Sequence, residues 1–454
     1  MLFIQSRQNP HGSKVSVWLH LAALLWLGTW SLYTPLAFSS ESVYSLDQLI
    51  AIGLNQNPSV LASRDQVDAA RGGATAARAY PNPEISGQTG NGRERNVATP
   101  MSGQAYNLSL HQPIEMPNVR SARIDVAEAT VVATDAARQG FEDDASARIK
   151  LAFFDLLRRE AEERATHEDL QLTQQIRDRI ALRHKVGESP RFDLIRAETE
   201  MLNAQRAHDA AILRVDMARA NLRMAVGYPL ANGWSIKGEL PKKINLPPLA
   251  KLKDDLLARN PSLARSEAER QAAERRVDHE KAQRLPKLAI IATRDVDPTI
   301  QKSTAGLALT VPIWDFRSGQ ISQARAELSR ANHQLAAQKL TLAESLEATY
   351  RLYQIASNQV NVLENQVLAQ ASAAQRIAEA AYRYGERGIL EWLDAQRTYR
   401  AARNELITAR YELATVSVEI DRLRSISNSI SNSTSSELSP APSPAASDAL
   451  PRLH

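Results

Sequence analysis

The sequence predicts a mostly α-helical protein with a transmembrane β-barrel, in which each chain supplies four strands and the chain consists of two internal repeats. Three observations support this fold class. A heptad pattern of apolar residues runs through 319–384, two pairs of segments alternate with a period of two, and several motifs recur in the same order in both halves.

Residues 1–39 are predicted to be a secretory signal peptide. Basic residues precede an apolar stretch at 15–32, and Ala37 and Ser39 supply the small side chains that a signal peptidase recognises. Because the apolar stretch is also long enough to span a bilayer, an uncleaved anchor is the alternative.

Two repeats, 40–227 and 248–424, are predicted to flank a proline-containing linker at 228–247. The sequence LNQNPSVLA at 54–62 returns as LARNPSLA at 257–264. Three further motif pairs keep the same order: Pro83-Glu84-Ile85 with Pro286-Lys287-Leu288, LSLHQPI at 108–114 with LALTVPI at 307–313, and Val186-Gly187-Glu188 with Tyr384-Gly385-Glu386. Each repeat is therefore expected to contain a helix, two strands, a long helix, a turn and a final helix.

The long helix of the second repeat is predicted to be continuous from Gly319 to Tyr384. No proline or glycine interrupts the run from Gln320 to Tyr384. Its seam is formed by the residues at every seventh position: Ile321, Leu328, Leu335, Leu342, Thr349, Ala356, Leu363, Gln370, Ile377 and Tyr384. A sustained heptad pattern is typical of coiled-coil packing. Glycines at 187, 385 and 388 mark where long helices end and the chain turns back.

Two β-hairpins are predicted, at 82–113 and 287–312. Tyr106, Leu108 and Leu110 alternate with polar residues over about ten positions, which is the length of a tilted membrane strand. Four strands cannot close a barrel, and a sheet in lipid cannot leave its edges open. The strands are therefore expected to join those of other chains.

Composition excludes several other classes of protein. The chain has no cysteine, so disulfides, Cys-ligated zinc, thiol catalysis and a lipidated N-terminal cysteine are excluded. The 55 Lys and Arg residues balance 51 Asp and Glu residues, which argues against a nucleic-acid-binding protein. The nine histidines are scattered, so neither a metal site nor a cofactor is expected. Residues 425–454 are rich in Ser, Asn and Pro and are predicted to be a disordered tail.

The repeat plan, from 44 to 424, resembles the TolC-type outer-membrane efflux proteins. Two segments, AYPNPEI at 79–85 and HQPIEMP at 111–117, resemble the heavy-metal, CzcC-like branch. The resemblance implies a homotrimer with a twelve-stranded barrel in outer-membrane lipid, continuous with a long periplasmic coiled-coil α-barrel that closes at its far end. It also implies that a periplasmic adaptor protein and an inner-membrane transporter of the RND type dock to open that end.

The resemblance also implies two sets of functional positions. The adaptor-docking turns are Val186, Gly187 and Glu188 in the first repeat and Tyr384, Gly385 and Glu386 in the second. The segment ILEWLDA at 389–395 matches the family's inner constriction, which places Glu391 and Asp394 in acidic rings around a threefold axis. Such rings bind cations and set selectivity. Asp193 holds the equivalent place in the first repeat.

The expected function is that of an outer-membrane exit duct, a passive gated conduit that exports metal cations or other small toxic compounds. The alternative is a periplasmic coiled-coil scaffold or stalk without a pore, which would not need period-two strands at matching places in both halves. An enzyme comes third, because the sequence has no phosphate-binding glycine loop, GxSxG or HExxH motif.

Overall fold

A computed structural model describes residues 42–93, 102–231 and 233–425. The predicted signal peptide and nearly all of the predicted tail lie outside these residues. The described chain forms two units. In the smaller unit, the backbone N–H of Ser235 donates to the carbonyl of Ser42 (3.1 Å). Strand β1 (Val43–Tyr44) pairs with the short strand β4 (Ser235–Ile236), of which Ser235 belongs to this unit.

The larger unit is mostly helical and contains a four-stranded sheet. Its helices are α1 (Leu46–Gln56), α2 (Pro58–Arg78), α3 (Pro117–Lys185), α4 (Arg191–Val226), α5 (Leu249–Arg259), α6 (Pro261–Ala282), α7 (Ser318–Val362), α8 (Leu368–Arg383) and α9 (Ile389–Arg424). Helix α3 has 69 residues. At 1.5 Å per residue it is about 100 Å long. Among the described residues, no helix combines the length and the apolar character needed to cross a bilayer.

Each predicted first helix is in fact two helices, broken at an asparagine. Asn57 ends α1 and begins α2, and Asn260 does the same between α5 and α6. The Asn57 side chain accepts a hydrogen bond from Ser59 N (2.9 Å), and the Asn260 side chain accepts from Ser262 N (2.9 Å). Because a proline follows each asparagine, the helix before it cannot continue with regular hydrogen bonding.

The predicted continuous helix at 319–384 is also wrong in one respect. A π-helical turn at Leu363–Val367 separates α7 from α8. A π turn inserts one extra residue, so the buried seam after it moves forward by one position. Ala371 is buried instead of Gln370, and Ile377 is 71% exposed while Ala378 packs in an apolar cluster.

The sheet consists of β2 (Glu84–Arg93), β3 (Ser102–Ile114), β5 (Lys287–Val296) and β6 (Gln301–Thr310), all antiparallel, in the order β2-β3-β5-β6. Its register places large apolar side chains on one face: Ile85, Leu108, Leu110, Ile290, Leu307 and Leu309. The opposite face is polar, with paired hydroxyls at Ser86 and Ser109 and at Thr293 and Thr304. In the described chain β2 and β6 are edge strands.

Candidate functional site

The first turn between long helices ends α3 with a left-handed glycine. Gly187 has φ of +80°. Its N–H donates to His184 O (3.1 Å), and Glu188 N–H donates to Arg183 O (2.8 Å). This pair of bonds is the Schellman motif, which satisfies the last carbonyls of a helix and needs a residue that tolerates positive φ.

The second turn, after α8, repeats the same geometry. Gly385 has φ of +78°. Its N–H donates to Tyr382 O (3.1 Å), and Glu386 N–H donates to Ala381 O (2.9 Å). Because a Cβ atom built on Gly187 or on Gly385 would meet nothing within 4 Å, the backbone conformation alone requires glycine at both turns.

One apolar cluster lies behind both turns and brings them to the same end of the larger unit. It joins the end of α3, the beginning of α4, the end of α8 and the beginning of α9, with buried Ile176, Ile180, Ala197, Ile389, Trp392 and Leu393. The ring of Trp392 stacks on Tyr382, with 5.1 Å between the ring centroids. This packing fixes the position of each turn relative to the other.

The turns themselves present apolar side chains to solvent. Val186 is 64% exposed and Tyr384 is 80% exposed. The glutamates that follow the glycines are exposed as well, and Glu188 lies near Arg183 (Nε–Oε2 3.6 Å). Together the two turns form a surface of mixed aliphatic, aromatic and acidic character.

Glu391 and Asp394 both lie on the exposed side of α9, next to the buried Trp392 and Leu393. Residues three apart share a helix face, so the structure places the two carboxylates on adjacent turns. Glu391 forms an ion pair with Arg387 (Oε1–Nη1 3.2 Å). The backbone carbonyl of Asp394 accepts a hydrogen bond from the Thr398 hydroxyl (3.1 Å).

The carboxylate of Asp193 forms a hydrogen bond within its own turn of the chain. It lies in the first turn of α4, and its Oδ2 accepts from the hydroxyl of Ser189 (3.3 Å). A carboxylate near a helix N-terminus is stabilised by the helix dipole. The geometry therefore gives Asp193 a local role at the start of α4, and its part in a constriction stays a prediction.

The ion pair of Glu391 was missed from sequence. Arg387 lies in the turn before α9, which begins at Ile389, so the helical spacing rule for opposite charges gives no signal for this pair. The stacking of Trp392 on Tyr382 joins two different helices and has no local signal either. Within the described ranges, no group of three or more His, Cys, Asp or Glu side chains is arranged to hold a metal ion.

Comparison with known proteins agrees with this architecture. The sequence profile of outer membrane efflux proteins matches residues 49–228 and 252–424. Over 381 residues the chain is 24% identical to the cobalt-zinc-cadmium resistance protein CzcC of Cupriavidus metallidurans, covering 84% of this chain and 89% of that protein. It is also 23% identical over 248 residues to the outer membrane protein TolC of Escherichia coli, covering 47% of this chain and 49% of that protein.

The fold is similar to that of solved channel structures. The crystal structure of CusC, studied for folding and transmembrane channel formation, superposes with a TM-score of 0.72 at 16% sequence identity. The superposition covers 84% of this chain and 91% of CusC.

Proposed function

Because the chain belongs to the outer membrane efflux protein family, which consists of channels and not of enzymes, we propose that it is the exit duct of a tripartite efflux pump. In this proposal the duct is a passive, gated conduit that carries small toxic compounds from the periplasmic side to the outside. The family assignment rests on the profile match across both halves of the chain.

The observation that best supports the proposal is the amphipathic four-stranded sheet. One face carries exposed Ile85, Leu108 and Leu307, and the other carries hydroxyl and amide groups. An apolar outside and a polar inside are what a transmembrane barrel requires. Strands β2 and β6 leave backbone N–H and C=O groups unpaired, and such edges are not tolerated in lipid. Three chains would close the edges into twelve strands.

The two-repeat organisation belongs to the same proposal. In each half an asparagine begins a helix and also bonds the end of the last long helix. Asn57 Nδ2 donates to Ala225 O (3.4 Å), and Asn260 Nδ2 donates to Leu423 O (2.9 Å). Equivalent contacts at equivalent places support repeats at 40–227 and 248–424, joined by a linker at 228–247.

We further propose that the two turns dock a periplasmic adaptor protein, which links the duct to an inner-membrane transporter of the RND type. Exposed Val186 and Tyr384 at the same end of the larger unit support this, because exposed apolar side chains grouped together mark interaction surfaces. The rigid Schellman turns would hold these side chains in a fixed geometry.

The cargo is proposed to include metal cations. The support is the resemblance to CzcC, a protein named for cobalt, zinc and cadmium resistance. Acidic rings formed by Glu391 and Asp394 would favour cations over anions by weak, reversible binding. Drugs and other small toxic molecules are the remaining cargo class.

The exposed carboxylates give a sharp test of the constriction. Asp394→Asn is expected to lower the cation-over-anion permeability ratio more than Glu391→Gln, because Arg387 already offsets the charge of Glu391. Arg387→Gln should act in the opposite direction and raise cation selectivity. Reversal potentials in planar bilayers measure these changes.

The matched control for this test is Glu405→Gln. Glu405 is also exposed on α9, about 16 Å further along the helix from Asp394. Equal selectivity for the Asp394→Asn variant and the wild type would refute the acidic constriction while leaving the duct intact.

Cell fractionation separates the duct from the scaffold without a pore. The duct should be found in outer membranes as a detergent-extracted trimer that dissociates on heating in SDS and conducts ions in planar bilayers. Recovery of the mature protein from the water-soluble periplasmic fraction, without conductance, would favour the scaffold.

A further inference from the structure

A cavity of about 290 Å³ lies where the sheet meets the helices. Its walls come from the end of β3 and the start of α3, and from the end of α6 and the start of β5. The volume is close to the lower end of the range for small-molecule sites in proteins. The turns and the acidic positions of α9 are not among its lining residues.

The wall towards the sheet is apolar and continues the apolar face. Ile114 pairs with Leu288, and Leu288 pairs with Leu309, so the three side chains form a row across three strands. Ile114 and Leu288 line the cavity directly. This row is the last apolar one before the helices begin, and it would meet the ends of lipid chains if the sheet lies in a membrane.

The wall towards the helices carries both signs of charge. Arg123 of α3 pairs with Glu115, with 3.1 Å between Arg123 Nε and Glu115 Oε1. Their side chains keep 30% and 14% of their accessible surface, so both can still contact a ligand. Lys287, the first residue of β5, also borders the cavity, but it pairs with Thr310 on the polar face, opposite to Leu288. The site therefore offers one cation and one carboxylate side by side.

His279 of α6 adds a polar group on this side. Burial lowers the pKa of His279, Arg123 and Arg317 lower it further, and Glu280 and Glu115 raise it. The ring nitrogen Nε2 contacts Gln283 Nε2 (2.6 Å), while the buried Nδ1 has no hydrogen-bond partner among the described residues. A buried polar atom without a partner is costly, and a ligand in the cavity could satisfy it.

We propose that this cavity binds the headgroup of a zwitterionic phospholipid with a primary amine, phosphatidylethanolamine. The phosphate would accept from Arg123, the ammonium group would donate to Glu115, and the acyl chains would follow Ile114 and Leu288. A carboxylate beside the cation is what distinguishes an aminophospholipid from a purely anionic lipid. The inference rests on the proposed function, because only a sheet embedded in a membrane brings lipid to this cavity.

Native mass spectrometry of the full-length protein in detergent tests this binding. After delipidation the protein is titrated with phosphatidylethanolamine, phosphatidylglycerol or phosphatidylcholine. We expect one phosphatidylethanolamine per chain. Binding of phosphatidylcholine should be at least about tenfold weaker, because its methylated ammonium cannot donate a hydrogen bond to Glu115. Tenfold corresponds to about 1.4 kcal/mol, which is just below the lower end of the range for a hydrogen bond to a charged group.

Substitutions test which residues bind the lipid headgroup. The double variant Glu115→Gln and Arg123→Gln removes both charges, and it should weaken phosphatidylethanolamine binding at least about tenfold. The single variant Glu115→Gln covers the case in which the double variant does not fold, and it should bring phosphatidylethanolamine binding down to that of phosphatidylcholine. Arg284→Gln is the control, since Arg284 is exposed nearby but does not line the cavity, and its binding should equal that of the wild type.

Several results would overturn the inference. These are equal binding of phosphatidylcholine and phosphatidylethanolamine, tighter binding of phosphatidylglycerol, unchanged binding in the folded variants, or displacement of the lipid by excess inorganic phosphate. A conducting trimer with any of these results overturns only the lipid site. A water-soluble monomer without conductance overturns the proposed function, and the lipid site with it.

Discussion

At the scale of single residues, Gly227 and Asn57 are tightly linked. Gly227 ends α4 with φ of +68°, and a Cβ atom there would clash with the amide of Asn57. Asn57 cannot move away freely, because its side chain accepts from Ser59 N and donates to Ala225 O. The two residues hold the end of α4 against the start of α2.

This contact predicts unequal costs for two glycine substitutions. Gly227→Ala should lower the free energy of unfolding by about 2–3 kcal/mol, because left-handed backbone costs a non-glycine residue about 1–2 kcal/mol and the displaced asparagine loses a helix cap worth about 1 kcal/mol. Gly187→Ala should lower it by only about 1–2 kcal/mol, since open space surrounds Gly187.

Urea unfolding of the detergent-solubilised protein, followed by circular dichroism of the helices, measures this difference. Gly385→Ala is the matched control and should behave like Gly187→Ala, because the two turns have the same hydrogen bonds and the same open space. A Gly227→Ala variant as stable as these two would mean that the Asn57 side chain moves aside without any loss of stability.

Residue-level features with a local signal could be predicted from the sequence. The turn glycines follow from their position after long heptad runs, and the structure shows the Schellman bonds that need them. The break at Asn57-Pro58 also has a local signal, a capping residue before a proline, yet one helix was predicted there. The link from Asn57 to Ala225 joins residues distant in sequence, so no local pattern encodes it.

At the scale of elements, the π turn at Leu363–Val367 changes which residues α8 buries. Before it, buried residues follow the predicted sevenfold spacing, at Leu342, Thr349, Ala356 and Leu363. After it, Ala371 is buried and Ile377 is exposed. Heptad counting could not detect the turn, because Ile377 is as apolar as a seam residue and the shift is a single position.

This interpretation predicts that the chain tolerates one particular deletion. Removing Asn365, which is exposed in the π turn, should turn 318–383 into one regular α-helix and keep both seams aligned. The thermal unfolding temperature of the variant should stay close to that of the wild type. Circular dichroism during heating measures it.

The matched control removes Ser329, which is exposed in the regular part of α7. That deletion rotates the neighbouring seam residues by about 100° relative to the rest of the helix and should prevent stable folding. If both deletions are equally harmful, the π turn does not act as a one-residue insertion in this coiled coil.

At the scale of the whole molecule, the sheet is the feature that a single chain leaves incomplete. The alternation at 106–110 correctly predicted a strand with an apolar face, and the structure adds the strand order and the register. The need for closure follows from the sequence alone, because four strands leave open sheet edges and such edges are not tolerated in lipid. The number of chains that close the sheet is a property of the assembly, and three is the proposal.

Disulfide cross-linking of the two edge strands tests that closure most directly, and the natural chain contributes no cysteine of its own. Gln88→Cys in β2 is combined in turn with Thr304→Cys, Gly306→Cys or Ala308→Cys in β6, all on the polar face. The control pair, Gln88→Cys with Thr293→Cys, lies two strands apart, beyond disulfide reach. We expect oxidised dimers and trimers in SDS for at least one β2–β6 pair and only monomers for the control. Monomers for every pair would contradict a barrel closed between chains.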